Sequence, residues 1–325
     1  MRKVTVFMCA VALFLSFVGC GKPAEAISQS ELDKLIAPVI AAHADTAGAR
    51  AVFFTRNLSS DGVLKVFDKI ASHVDGKKVG VKVHFGEVGN KNYIGAEFSQ
   101  KLCEKLSADW IETNVVYPGP RNSTASHIKL ARDHGFVARP INILDEKGEI
   151  LLTSSHKHFK KVRVAAGVFD YDNIIIFSHF KGHGSAGFGG AIKNVSMGLA
   201  TPKGKGDMHK SKIPNYFPDK CVKCKQCIAK CAGNAITIDP LVIDPDKCIG
   251  CGMCISICPS GAIVNATSDV VDGVFLERLA EYAEVIADTL DLVYINVVAK
   301  ISKSCDCNPL AGAPFVSDIG IFAST

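Results

Sequence analysis

The chain has 325 residues, 48% of them hydrophobic, with 21% charged and a formal net charge of +5. That length gives one large domain or two ordinary ones, and the apolar fraction is ample for a buried core. So modest a positive balance argues against nucleic-acid binding.

Arg2 and Lys3 precede an uncharged apolar run from Val4 to Val18, followed by Gly19 and Cys20. This is the layout of a secretory signal, expected over residues 1–26, with a second possible cut after Ala26. The small Gly19 before Cys20 makes that cysteine a lipidation candidate, although Phe17 is bulky for such a signal. The apolar run falls short of the roughly 18 residues that a membrane-crossing helix needs. An exported or membrane-associated protein is therefore expected, with a cytoplasmic one as the alternative, and residues 27–50 read as a linker.

From Ala51 apolar strand-like runs alternate with helical spacing. Ala51–Phe54, Val79–Phe85, Trp110–Thr113, Ile141–Leu144 and Ile174–Phe177 read as strands. Val63–Ser72, Glu97–Leu106 and Ser123–Asp133 read as helices. Such alternation predicts an α/β domain with a largely parallel sheet, its first part spanning residues 51–210. Ligands bind in such sheets where strands run out. One strand ends in His84, Gly86 and Glu87. Another ends in His179, Lys181 and His183 and continues into a glycine-rich stretch with Gly187, Gly189, Gly190 and Lys193. Glycines there let backbone amides approach a ligand, and a helix over Ala191–Leu199 would turn its N-terminus toward an anion. Neither a P-loop nor a dinucleotide fingerprint is present. The bland alternative is a glycine loop that only packs. Lys203, Lys205, Lys210 and Lys212 follow, read as a solvated loop or a docking face for an acidic partner.

Eight of the 13 cysteines come in one doubled rhythm: Cys221, Cys224, Cys227 and Cys231, then Cys248, Cys251, Cys254 and Cys258 before Pro259. Each set reads C-x2-C-x2-C-x3-C, the spacing of two [4Fe-4S] clusters in which the fourth cysteine serves the neighbouring cluster. Cys221, Cys224, Cys227 and Cys258 are thus expected to hold one cluster, and Cys248, Cys251, Cys254 and Cys231 the other. Zinc knuckles and disulfides lack this rhythm. Ala232 stands where a proline often follows the first set. Ala235–Ile238 and Ala262–Val264 follow the two sets equivalently, an internal repeat of small hairpin units. Residues 211–267 accordingly resemble a bacterial-type two-cluster ferredoxin inserted into the α/β domain, whose second part is 268–325. Clusters are normally built on folded protein, and a twin-arginine signal that would export folded chain is missing, so signal and clusters stand in tension.

Leu276–Leu290 reads as a helix and Val293–Val298 as a strand, just before Cys305 and Cys307. One intervening residue argues against an ordinary disulfide between those two. With His84, Glu87, His179 and His183 they could form a second metal site, since imidazole and thiolate suit iron, zinc or nickel. Cys103 reads as a core residue.

HFGE at 84–87, SHFKGH at 178–183, GFGGAIKN at 187–194, the doubled cysteine rhythm and CDC at 305–307 together resemble the uncharacterised iron-sulfur family catalogued as domain of unknown function three-six-two. The resemblance covers roughly residues 51–325 and implies an α/β domain carrying a two-cluster insertion, with no established reaction. Members mostly begin near this chain's Ala51 and continue somewhat beyond its Thr325. The functional expectation is an iron-sulfur redox protein, a possible oxidoreductase component, relaying electrons between an unidentified partner protein and an anionic small molecule. Its alternatives are a ligand- or metal-binding protein with structural clusters and a plain electron carrier.

Overall fold

The computed structural model describes residues 51–209, 213–231, 233–245, 247–248, 250, 252–264, 273–308 and 311–325. The signal-like segment with Cys20, the linker, Lys210, Lys212, Ala232 and Cys251 lie outside them. Among the described residues no helix is long and apolar enough to cross a membrane.

The first part alternates strand and helix: β1 (Val52–Thr55), α1 (Ser60–Phe67), β2 (Val79–Lys82), α2 (Ala96–Leu106), β3 (Asp109–Glu112), α3 (Thr124–Asp133) and β4 (Ile141–Ile143). A hairpin of β5 (Glu149–Thr153) and β6 (Lys161–Ala165) precedes the long β7 (Asn173–His179). A second hairpin, β8 (Lys181–His183) with β9 (Gly187–Gly189), leads into α4 (Ala191–Leu199) and α5 (Pro202–His209). The cysteine-rich stretch contributes β10 (Asn215–Tyr216), α6 (Gln226–Ala229), β11 (Ile236–Thr237), β12 (Val242–Ile243), α7 (Met253–Ser256) and β13 (Ile263–Val264). Then come α8 (Gly273–Thr289), β14 (Leu292–Val298) and β15 (Gly320–Ser324).

Seven strands make one sheet in the order β1-β15-β14-β7-β2-β3-β4. The five from β14 to β4 run parallel, while β15 runs antiparallel to both neighbours. Parallel strands are covered on both faces, and β7 is buried at every position as that requires. Alternate residues of β7 feed the two cores: Ile175 and Phe177 pack with Phe67, Leu102 and Trp110, whereas Ile174 and Ile176 pack with Val195, Leu199, Phe275 and Tyr282. Helices thus lie on both sides of the sheet. Local chemistry sets their limits: Ser59 caps α1 by accepting the Gly62 amide at 3.3 Å, and Val63, Val66 and Phe67 place its apolar stripe inward.

The fold agrees with the expected mixed α/β class and its largely parallel sheet, with strand and helix limits shifted by a few residues. Two readings change. The glycine-rich stretch is a β-hairpin and not a loop. Lys205 is not solvated: it sits in α5 with 7% of its surface exposed, because Gly204 beside it lets the helix close to 2.7 Å (from an ideal Cβ position) of the Arg163 carbonyl.

The cysteine-rich stretch repeats itself in backbone as well as in sequence. Left-handed residues fall at matched steps, Lys223 with Gly250, Lys225 with Gly252 and Asn234 with Gly261. α6 and α7 start right after the second pair, and β11 and β13 fall at matched steps after the third. β11 pairs with β12, and β13 closes on β10, the segment ahead of the first cysteines. Glycine holds a positive φ without a side-chain penalty, so the second set meets this backbone demand more cheaply than the two lysines of the first.

Candidate functional site

Parallel strands that end together leave their terminal side chains facing one crevice. Here β2 delivers Lys82 and His84, β3 delivers Glu112 and Thr113, and β7 delivers His179, all lining one cavity of about 600 Å³. The β8–β9 hairpin adds Lys181 and His183, α4 adds Lys193 and Asn194, and α5 adds Lys205. Tyr117 and Arg121 close it from the loop after β3, and Gly250, Gly252 and Ile255 of the cysteine-rich stretch form part of its wall.

Charge inside this cavity is organised in pairs. Lys82, 1% exposed, donates to Glu112 at 2.7 Å, to Asn194 Oδ1 at 3.0 Å and to the Val83 carbonyl at 2.8 Å, which uses all three of its N–H groups. Burial pushes the Glu112 carboxyl up, but Lys82, Lys205 and Arg121 outweigh it and hold the group below its ordinary value. Asn194 Nδ2 reaches the Phe177 carbonyl and the Ser178 hydroxyl, tying α4 to the end of β7. Gly198 makes this approach possible, since a Cβ there would lie 2.7 Å from the Lys82 amine.

Arg121 is the hub on the other side. It donates through Nε to Glu87 at 3.2 Å and through Nη2 to the Tyr117 hydroxyl at 2.6 Å, and its Nη1 lies 2.6 Å from His84 Nε2. His84 Nδ1 meanwhile faces the Gly86 amide at 3.0 Å. Burial, and the charge of Arg121 next, keep His84 neutral, with its pKa well below the usual imidazole value. A neutral imidazole has one acceptor nitrogen, so it accepts from Arg121 or from Gly86 and not from both.

Asp306 organises the third group. It accepts from His179 Nδ1 at 2.9 Å and lies 2.9 Å from the Lys181 amine, while His179 Nε2 is 2.7 Å from the Ala299 carbonyl. Both ring nitrogens thus face acceptor oxygens, one on the carboxylate and one on the backbone. Burial raises the Asp306 carboxyl, but Lys181 and His179 overcome this and hold it well below its ordinary value. His183 Nδ1 accepts from the Ser185 and Ala186 amides at 3.2 and 3.1 Å.

These contacts revise two expectations. Cys305 and Cys307 are joined by a disulfide. The turn that points Asp306 inward is closed by the Asn308 amide on the Cys305 carbonyl, and it brings the two Cα atoms to 5.3 Å, within disulfide reach. His84, Glu87, His179, His183, Cys305 and Cys307 are not gathered around one point: among the described residues no three His, Cys, Asp or Glu groups stand in an arrangement that could hold an ion. Arg121 and Lys181 occupy the carboxylates, and His179 has spent both nitrogens. Cys103 is buried, as expected, and burial pushes its thiol up.

The sequence reading named His84, Glu87, His179, Lys181, His183, Gly187, Gly189, Gly190, Lys193, Cys305 and Cys307 around this place; of these, Glu87, Gly187, Gly189 and Cys305 do not line the cavity and the rest do. It missed Lys82, Glu112, Tyr117, Arg121 and Lys205. A lysine and a glutamate inside otherwise apolar parallel strands were the available signal, because such strands admit charge only in pairs.

Lys193 differs from the other cavity cations. It makes no hydrogen bond or ion pair with any described residue. Burial, and the charges of Lys181 and Arg121 next, lower its pKa to about 7. Burial likewise lowers Lys205 to about 7, although its amine donates to Thr113 Oγ1 at 2.6 Å and to the Thr113 and Asn114 carbonyls. Between about pH 7 and 10.4 the unfolded chain therefore binds more protons at these lysines than the folded one, so their contribution to stability rises with pH across that window. Urea melts near pH 7, 8 and 9 should show a smaller positive slope for Lys193→Met than for wild type; equal slopes would clear Lys193 as the source.

The cysteines gather in two further, smaller cavities. Cys221, Cys224, Cys227 and Cys258 line one, together with Leu241 and Ile263. Cys231, Cys248 and Cys254 line the other. Pro214, Gly250 and Gly252 line this second cysteine cavity and the large cavity alike.

The model of the family described as "Domain of unknown function (DUF362)" matches residues 79–325. The chain belongs to the DUF362 family. Its matched region carries every strand of the sheet except β1, all the cavity residues and both cysteine sets. No curated protein matches this DUF362 chain. Among solved structures it is similar to the lactate racemase apoprotein from Thermoanaerobacterium thermosaccharolyticum, at 10% identity and a TM-score of 0.43, over 76% of this chain and 50% of that one. A Thermotoga maritima protein from a structural genomics project is similar at 12% identity and a TM-score of 0.41, over 75% of this chain and 52% of that one. The chain thus spans about half the length of each.

Proposed function

We propose that this DUF362 protein binds two [4Fe-4S] clusters through its doubled cysteine sets and exchanges single electrons with an anionic small molecule held in the large cavity. The observation that carries the reading is the shared wall: Pro214, Gly250 and Gly252 line both the second cysteine cavity and the ligand-sized one. Two cavities divide the described cysteines, with Cys258 crossing to the first set and Cys231 to the second, as the doubled spacing requires. Thiolates of a cubane bind separate irons, so such a donor set need not converge on one point as ligands of a single ion do. Four soft sulfur ligands suit iron-sulfur chemistry, and the left-handed residues between them turn the backbone around each site. Residues 211–267 then act as a ferredoxin-like insertion in the α/β domain.

The clusters would supply one-electron transfer at low potential. The chain's own residues give that transfer a direction in space. Cys224 of the first set is exposed, among the exposed Lys220, Lys223, Lys225 and Lys230, and this face suits an acidic redox partner. Cys248 and Cys254 of the second set are buried and lie toward the ligand cavity. Inside it Lys181, Lys193 and Arg121 attract the anion, and Lys193, with a pKa near 7, is suited to give or take a proton as charge moves. Residues 1–26 are read as an export signal, with Cys20 as the site of lipid attachment; the mass of the mature N-terminus and membrane fractionation test this.

The deciding experiment is anaerobic iron and sulfide analysis with a redox titration followed by electron paramagnetic resonance. About eight iron and eight sulfide per chain, reducible at low potential, are expected. Zinc in place of iron, or clusters that keep one oxidation state, would sink the relay and leave a binding role.

A further inference from the structure

We propose that the large cavity takes a small dianion, of the phosphate-monoester or dicarboxylate class, with Lys193, Lys181 and Arg121 as its anion-facing groups. The inference deepens the ligand half of the function proposed above and is independent of the electron relay. It begins from charge balance. Lys82, Arg121 and Lys181 each have a carboxylate, in Glu112, Glu87 and Asp306. Lys193 and Lys205 have none within ion-pair distance among the described residues.

Those two lysines differ in availability. The Lys205 amine is spent on Thr113 and Asn114 acceptors. Lys193 lines the cavity and makes no hydrogen bond or ion pair with a described residue. The arms of Lys181 and Lys193 flank the same glycine: a Cβ at Gly189 would lie 3.5 Å from Lys181 Cε and 3.6 Å from Lys193 Cδ. Two amines entering side by side repel each other unless an anion sits between them, and Arg121 is the next cation felt at Lys193. Gly190, at the start of α4, also lines this part of the cavity. A volume of about 600 Å³ suits a small metabolite rather than a bare ion. Lys193 has no carboxylate of its own and Lys181 shares Asp306 with His179, so a dianion answers the two arms that meet at Gly189 better than a monoanion does.

Calorimetry on the cluster-loaded full chain tests this, with inorganic phosphate, succinate and acetate as probes at about pH 7.5, in two buffers of different ionisation enthalpy. Phosphate or succinate is expected to bind at least about tenfold tighter than acetate, with proton uptake as the lysines recharge. Preference for phosphate would identify a phosphate-type ligand, and preference for succinate a dicarboxylate. Lys193→Met should cost about tenfold or more in that affinity at unchanged iron content and with no loss of melting temperature, and Lys193→Arg should restore most of it. Failure of every probe to bind, equal affinity for acetate and the dianions, or an unaffected Lys193→Met would overturn the proposal. Titrations run without reductant separate the two ideas: zinc at the cysteines would end the relay and leave dianion binding standing, whereas reducible clusters without dianion preference would end this inference alone.

Discussion

Glu112→Gln is expected to destabilise the folded chain by about 3–5 kcal/mol, because it strands the Lys82 ammonium in the interior. The lysine is 1% exposed and its carboxylate partner stands 2.7 Å away. Asn194 and the Val83 carbonyl remain as acceptors, but neither carries charge. For a domain of this size that loss corresponds to a fall in melting temperature on the order of 10 °C. Thermal and urea unfolding of Glu112→Gln, Lys82→Met and the double variant check it. A buried pair replaced on both sides by neutral groups often costs little, so the double variant should recover most of the loss, and a double-mutant cycle should return strong coupling. Simple additivity of the two single changes would show that the pair does not act as a unit.

Asp306→Asn should be comparably severe, by about 3–5 kcal/mol, since one carboxylate serves both His179 and Lys181 and is 1% exposed. An amide there offers one acceptor oxygen and no charge where Lys181 and His179 both meet the carboxylate. The acid limb of stability should change as well. Asp306 is held well below its ordinary value, so its contribution is present above the unfolded carboxylate pKa of about 4 and is lost as pH falls below it. The wild-type chain should therefore lose stability below about pH 4 more steeply than Asp306→Asn does. Parallel acid curves for the two proteins would mean that the carboxylate is not charged in the fold.

Much of the scaffold was legible because strand and helix periods alternate cleanly from Val79 to Ile143, and the doubled cysteine rhythm marked its segment without help from folding. What escaped depends on contacts between distant residues. Lys205 follows a proline, a lysine and a glycine, which locally reads as solvated chain; only the close approach of Gly204 to Arg163 carries it inside. Lys181–His183 and Gly187–Gly189 lack the alternating side chains that announce strands, and pair through backbone alone. The Cys305–Cys307 link depends on the inward turn of Asp306. His84 and His179 were found as strand-end residues, but their fates differ: one is kept neutral beside Arg121, and the other is clamped between Asp306 and Ala299.

The strand order carries a consequence for biosynthesis. β14 sits between β7 and β15 near the middle of the sheet, yet it follows the whole cysteine-rich stretch in sequence. As the nascent chain leaves the ribosome, β7 must wait with one edge unpaired until both cysteine sets have emerged. That edge stays open for the whole interval, so a chain stalled before β14 emerges should aggregate through β7 before its sheet can close.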